Sequence, residues 1–402
     1  YGINLRRLTT FAADTYGNDE CKKFWPHVLD KNKFDPVDDQ LAARMHKAIA
    51  IMQFKLEGQL IKEHPEFDLD KRLLLDKIDF ENGTVNVEGT VYPLNDTFFP
   101  TIDPNNPYEL TEDERAVMNS LSASIINSER LQTHIRYMFS HGALYKRING
   151  NLLFHGCIPM DENGDFLPVD IYGAKCAGRA LMDHLDKQIR ASYFSPEKIK
   201  KYGKPGDLMW YLWLAKDSPL FGKEKMTTFE RLFIDDKASH KEHVRPYYKL
   251  INSKEPCEKI LREFGLDPSH SKILNGHVPV KIKNGESPIK GGGLLYVIDG
   301  GISKAYQKQT GIAGYTFIFN SRFMALAEHK PYEPLREDGT QKFFSPSMKT
   351  VDTLKTRMLV IDTDEGAELL RQAEAVKRLV EAYKTGEIKE RPEGKYSAYK
   401  GK

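Results

Sequence analysis

From Asp39 onward, Leu41, Met45, Ala48, Met52, Leu56 and Leu60 recur at helical spacing with charged residues between them. Such spacing places them on one face of a long amphipathic helix, and Pro65 marks its end because a proline ring has no amide hydrogen to continue the ladder. Around Asn82-Gly83 the period shortens to two. Ile78, Phe80, Val85, Val87 and Val91 alternate about a dipeptide that tolerates positive φ at both central turn positions, which predicts a β-hairpin. Thr111 and Glu114 then form a capping box that opens a helix running to about Phe139.

Further along, short apolar runs alternate with polar turns. Asn151 to Phe154 reads as a strand that ends in His155-Gly156-Cys157-Ile158-Pro159. Gly173 to Arg190 reads as a helix, and Ser195 to Asp217 is rich in aromatic residues. Ser271 to Leu274 reads as a second buried strand, ending in Asn275-Gly276-His277, and a hairpin is expected from Lys281 to Gly293. Leu294 to Ile298 and Tyr315 to Phe319 read as strands three and four, the former ending in Asp299-Gly300-Gly301. A helix from about Asp364 to Lys384 has acids in its first turn and Gly386 as its C-cap, and the charged tail beyond Glu390 is expected to be disordered. There is no internal repeat of fixed period, so solenoids and propellers are excluded and mixed α/β layers remain. Three regions are expected: residues 1–105 as an accessory helix and hairpin lobe, 106–330 as the core, and 331–402 as a helical extension with its tail.

Composition narrows the function classes. At 402 residues and 40% hydrophobic content, the chain can bury at least one large core. Lys and Arg number 59 against 57 Asp and Glu, so a net charge of +2 supplies no field to gather nucleic acid or an acidic membrane. Four cysteines without CxxC spacing argue against a disulfide framework and for a reducing cytoplasm. No apolar run approaches the roughly 18 residues that span a bilayer. The start YGINLRR lacks the order of a signal peptide, and its first residue is Tyr, which suggests that the true beginning of the protein lies elsewhere.

Candidate chemistry centres on His155 and His277. Each follows an apolar strand beside a glycine, where a neutral imidazole can offer one ring nitrogen to a divalent metal while its other nitrogen is held by a carbonyl or carboxylate. A hydrogen-bonded turn histidine is the plainer reading of either one alone, and their matching contexts shift the balance. The segments FHGCIP, NGHVPVK and GGGLLYVIDGGISKAYQKQTGIAGYTF resemble the later blocks of class III fructose-1,6-bisphosphatases, a resemblance that extends less sharply over most of the chain.

That family belongs to the calcineurin-like metallophosphoesterases, β-sandwiches flanked by helices. Their two-metal centre draws on a DxH block, a GDxxDRG block, a GNHD or GNHE block and two later histidines. The resemblance implies that residues 106–330 form the C-terminal half of such a core, with the amino-terminal metal-binding blocks absent from this sequence. It implies His155 and His277 as ligands of the second metal, and Pro279 in place of the GHxH histidine places the chain near the bisphosphatases and diadenosine tetraphosphatases. It further implies manganese as cofactor and fructose 1,6-bisphosphate as substrate, hydrolysed in gluconeogenesis by a metal-activated water. Neither nucleic acid nor membrane is expected as a partner. The missing amino-terminal half is an expected partner, and a homo-oligomer stays open. An inactive binding module, or a phosphoesterase acting on phosphoprotein or dinucleoside polyphosphate, is the alternative.

The phosphate that does not react needs cationic donors, for which Lys281, Lys304, Lys308 and Arg322 are candidates against the plain reading of solvated charge. Asp299 either orients a ligand histidine or caps its own turn. Gly17-Asn18-Asp19-Glu20 has the look of a degenerate GNHE block, but no apolar strand precedes it. Gly206-Asp207 reads as a helix N-terminus, His240 and His243 as a solvated loop, and Trp210, Tyr211 and Trp213 as buried core.

Overall fold

The computed structural model describes residues 1–27, 38–194, 206–301, 303, 310–312, 314–330 and 346–389. The fold is α/β, in two compact units: residues 1–146, 154–265 and 275–278 form the first, and 147–153, 266–274 and 279–402 the second.

In the first unit, α1 (Arg6–Thr15) is followed by α2 (Asp39–Glu63). Asp38 caps α2, its carboxylate accepting from the amides of Gln40 and Leu41, which would otherwise lack partners. Here the one-faced helix expected from periodicity is corrected. Ala43, Ala50, Ile51 and Phe54 enter one apolar cluster with Phe24, Val85, Phe99 and Phe233. Ala48 and Met52 enter another, with Leu8, Ala12 and Tyr16. Leu41, Met45 and Leu56 stay half-buried.

A helix covered on two faces also buries its charges. Lys47, Lys55 and Glu57 are 0%, 0% and 2% exposed. Each is paired, since an isolated buried charge is prohibitively costly. Lys47 meets Asp19 and Asp96. Lys55 donates to Glu114 at 2.7 Å and to the Thr101 carbonyl at 2.6 Å, while Glu57 accepts from Arg72.

The β-hairpin is part of a three-stranded meander, β1 (Ile78–Asp79), β2 (Thr84–Val87) and β3 (Thr90–Pro93). Val91 belongs to β3, beyond a second turn at Glu88-Gly89, where both residues have positive φ. Glutamate rarely takes that conformation, so the alternation concealed this turn. The Thr111 capping box forms as expected, but its helix is two: α3 (Glu112–Ile126) and α4 (Glu129–His141). Asn127-Ser128 interrupts them, with Ser128 in extended backbone ahead of the new helix.

The chain continues through β4 (Tyr145–Ile148), β5 (Asn151–Phe154) and a small hairpin of β6 (Val169–Ile171) with β7 (Ala174–Cys176). Gly173 therefore lies in a turn, where Tyr172 and Gly173 both have positive φ. The helix expected from Gly173 begins later, as α5 (Gly178–Phe194). Among the described residues four shorter helices follow, α6 (Leu208–Leu214), α7 (Thr228–Phe233), α8 (Tyr247–Leu250) and α9 (Lys254–Glu263). In α6, Tyr211 is core as expected, whereas Trp213 is 46% exposed and Trp210 half-buried. A seven-residue helix packed on one side cannot bury three large rings that fall within four positions.

The second unit carries a five-stranded sheet of order β4-β5-β8-β10-β9, with β8 (Ile273–Asn275), β9 (Ile289–Lys290) and β10 (Leu295–Val297); the strand ends Tyr145–Lys146, Phe154 and Asn275 group with the first unit. β5 and β8 are parallel, Leu152 beside Ile273 and Leu153 beside Leu274. The Lys281 to Gly293 hairpin is corrected: β9 is flanked by 3-10 turns at Ile282–Asn284 and Gly291–Gly293 and pairs with β10. A second sheet, β11 (Gly314–Phe319), β12 (Phe323–His329) and β13 (Ser347–Thr353), is antiparallel. Finally α10 (Asp364–Thr385) ends at Gly386 in the left-handed conformation, as expected. The tail beyond Glu390 lies outside the described residues. Among the described residues, no helix is long and apolar enough to cross a membrane.

Gly58 shows how tightly α2 is held. A Cβ there would lie 2.0 Å from the Tyr108 ring, whose hydroxyl donates to Asp76 at 3.0 Å. Alanine gains about 1 kcal/mol in a helix interior, yet displacing the ring should outweigh it. Gly58→Ala is expected to lower stability by about 1–3 kcal/mol, read as a lower urea midpoint at unchanged slope. An unchanged or raised midpoint would contradict this packing.

Candidate active site

His155 and His277 follow strands β5 and β8, which are adjacent and parallel, so their carboxyl ends reach the same edge of the sheet. The structure brings the two rings together. His155 Nε2 lies 3.1 Å from His277 Nδ1, with ring centroids 5.0 Å apart at 61°. Two nitrogens each about 2.1 Å from one ion stand roughly 3.0 Å apart at a right angle and roughly 3.4 Å apart at a tetrahedral angle. The observed separation falls between, so the pair could hold one divalent cation between them. His155 is exposed and His277 half-buried, which leaves the pair open to a ligand.

Backbone geometry explains the glycine after His155 and the tension in the second turn. The Gly276 amide donates to the His155 carbonyl at 2.8 Å, tying the two loops directly. The Val278 amide donates to the Gly276 carbonyl, also at 2.8 Å, closing a three-residue turn centred on His277. His277 has φ +67°, the sign that makes a turn of this size strained. At Gly156 a Cβ would lie 2.6 Å from the Pro219 carbonyl oxygen, so only glycine fits after His155.

A buried polar brace that periodicity does not reveal stands behind the loops. Asn275, 2% exposed, donates through Nδ2 to the Gly156 carbonyl at 3.1 Å and to the Tyr247 hydroxyl at 2.9 Å. Its sequence signal was only an amide at the end of a buried strand, where leaving it unpaired would be costly. Cys157, beside the histidine, is buried. Burial, and next the charge of Asp217, push its thiol up to about 12. It is therefore a thiol rather than a nucleophilic thiolate at neutral pH.

The other expected site residues divide. Lys304 and Lys308 lie outside the described residues. Lys281, Asp299 and Arg322 belong to the second unit. Lys281 and Arg322 are exposed and Asp299 is half-buried. Asp299 accepts from the Gly301 amide at 2.7 Å, a turn-capping bond, and its carbonyl accepts from Val280 at 2.9 Å. In the first unit, Asp19 of the GNDE loop is held by Lys47, and Asp207 stands at the N-cap of α6 as expected. His240 lies in a loop, its Nε2 against the Glu230 and Ile234 carbonyls. The sequence reading passed over His64, which sits with Glu63 and Asp207 such that one ligand atom from each lies within 4.8 Å of the others.

Replacing His277 in two ways separates its backbone from its imidazole. Both His277→Gly and His277→Ala lose the ring, but only glycine takes positive φ freely. The glycine variant should be more stable than the alanine variant by about 1 kcal/mol, measured as a higher midpoint of thermal unfolding. Equal midpoints would show that the turn holds no strain.

A family model described as Firmicute fructose-1,6-bisphosphatase matches residues 1–385. The chain is 52% identical over 394 residues to the fructose-1,6-bisphosphatase class 3 of Clostridium tetani and 51% identical over 392 residues to that of Clostridium acetobutylicum. Each match covers 97% of this chain but 59% of the relative, so the chain spans about three fifths of the length of the curated relatives it matches. No solved structure matches. With the family model covering almost all of its length and half its residues shared with these relatives, the chain belongs to the Firmicute fructose-1,6-bisphosphatase family.

Proposed function

We propose that this chain forms part of an enzyme that hydrolyses fructose 1,6-bisphosphate to fructose 6-phosphate and phosphate, serving gluconeogenesis in the cytoplasm. The observation that carries the reading is the 3.1 Å approach of His155 and His277 at the ends of two parallel strands, in a chain of this family. In this reading the core is of the calcineurin-like type, and the two imidazoles hold one ion of a manganese pair. Such a pair, when bound, would supply Lewis acidity toward the phosphoryl oxygens and lower the pKa of a bound water, so that hydroxide is available to attack phosphorus in line.

The chain's own residues would position these parts. The tie from Gly276 to the His155 carbonyl and the Asn275 brace keep the two imidazoles in register. Lys281, Lys304, Lys308 and Arg322 supply the charge for the phosphate that does not react, with Asp299 orienting a ligand histidine. These 402 residues contain neither a GDxxDRG nor a GNHD block, and the relatives are longer. We therefore place the remaining metal ligands in chain outside this sequence.

Phosphate release from fructose 1,6-bisphosphate with manganese tests the reading, for this chain and for the chain joined to sequence bearing the GDxxDRG and GNHD blocks. The joined protein should turn over and the chain alone should not. His155→Ala in the joined protein should lose roughly a hundredfold or more in turnover together with metal content, because an underbound ion dissociates. An inactive joined protein would remove the substrate assignment, and unchanged metal content in His155→Ala would remove the ligand role.

A further inference from the structure

His64 follows the last residue of α2 and is fully buried, at 0% exposed. Its ring lies flat on Phe67, centroids 4.6 Å apart at 10°, with the Tyr172 ring at 6.3 Å. Stacking on Phe67 and the contacts at both nitrogens hold the plane of the imidazole. Its Nδ1 is 2.9 Å from a Glu66 carboxylate oxygen, and its Nε2 is 2.9 Å from an Asp207 carboxylate oxygen.

A neutral imidazole carries one N–H, so it can donate to only one of these carboxylates, and its other nitrogen would set a lone pair against a lone pair. The arrangement therefore calls for a positive charge at one nitrogen. At Nδ1, a bond to Glu66 is the contact by which a carboxylate fixes the tautomer of a metal-bound histidine. Nε2 then aims its lone pair at Asp207, and Glu63 brings the third donor, all three ligand atoms lying within 4.8 Å of one another. The 2.9 Å from Nε2 to Asp207 is close to the roughly 3.0 Å expected between donors at right angles on one ion. Asp207 is half-buried and Glu63 exposed, so water can complete the coordination.

We propose that Glu63, His64 and Asp207 form a divalent-cation site, with Glu66 as a positioning residue, that ties the end of α2 to the start of α6. One imidazole nitrogen with two carboxylate oxygens suits zinc or a neighbouring first-row ion. The site shares no residue with the His155 and His277 pair and does not depend on the phosphatase reading.

Zinc titration of the full 402-residue chain carrying His155→Ala and His277→Ala tests it, with bound metal counted after dialysis. One zinc per chain is expected. Adding Asp207→Asn should weaken zinc binding roughly a hundredfold, and adding Glu66→Gln should weaken it about tenfold to a hundredfold. Both positions are partly exposed, so the variants should fold, which circular dichroism will verify. In the chain with its other histidines intact, Asp207→Asn should remove one zinc equivalent. Absence of zinc from the double variant, binding indifferent to Asp207→Asn, or nitrogen-detected resonance showing both His64 nitrogens protonated with zinc present would overturn the proposal in favour of a buried imidazolium.

Discussion

The parallel register of β5 on β8, with Leu152 beside Ile273 and Leu153 beside Leu274, sets where both histidines arrive. Successive side chains of a strand face opposite sides, so a slip of one residue would turn Leu152 and Ile273 off the faces they now bury. It would also break the tie between the Gly276 amide and the His155 carbonyl. Parallel neighbours cannot be joined by a tight turn. The chain therefore makes a long excursion through α5 to α9 between the two strands, and Asn275 and Cys157 are hydrogen-bonded to residues of that excursion, Tyr247 and Pro219.

A second constraint governs the rest of the first unit. Helix α2 is enclosed by two apolar clusters, and enclosure carries its lysines and glutamate inside with it. Their pairings reach Asp19, Asp96, Glu114 and Arg72, so several separate segments of chain are fixed by charges that cannot be left unpaired. Glu114 joins two roles, since the carboxylate that completes the capping box of α3 also receives Lys55. Removing one partner of such a pair is costly, because the other remains buried and charged. The same helix ends at His64, where a buried imidazole again faces carboxylates.

Much was legible before any coordinates. The spacing from Leu41 to Leu60, the Thr111 box, the Gly386 cap and the strands before His155 and His277 are all local signals, governed by helix period, amide satisfaction at helix ends and the alternation of strand faces. Two of the misreadings share a cause. Glu88-Gly89 and Tyr172-Gly173 turn the chain where neighbouring patterns ran on, because positive φ at a non-glycine residue is imposed by packing rather than announced by residue type. Asn127-Ser128 instead breaks a helical pattern where Ser128 takes extended backbone. The apolar neighbours of Trp213, Leu208, Met209, Leu212 and Leu214, point to the core, yet it lies 46% exposed, a matter of which side of a short helix meets a neighbour.

The sequence by itself determined the α/β class, most element positions, the glycine-flanked histidines and the resemblance that the family match supports, because these depend on residue type and on neighbours within a few positions. Only the tertiary structure decided that His155 and His277, 122 positions apart, stand within 3.1 Å, that Asn275 braces them, and that His64 lies among carboxylates with Asp207 143 positions away. Those distances follow from strand pairing and helix packing over long separations. Chain composition and local periodicity do not encode them one residue at a time.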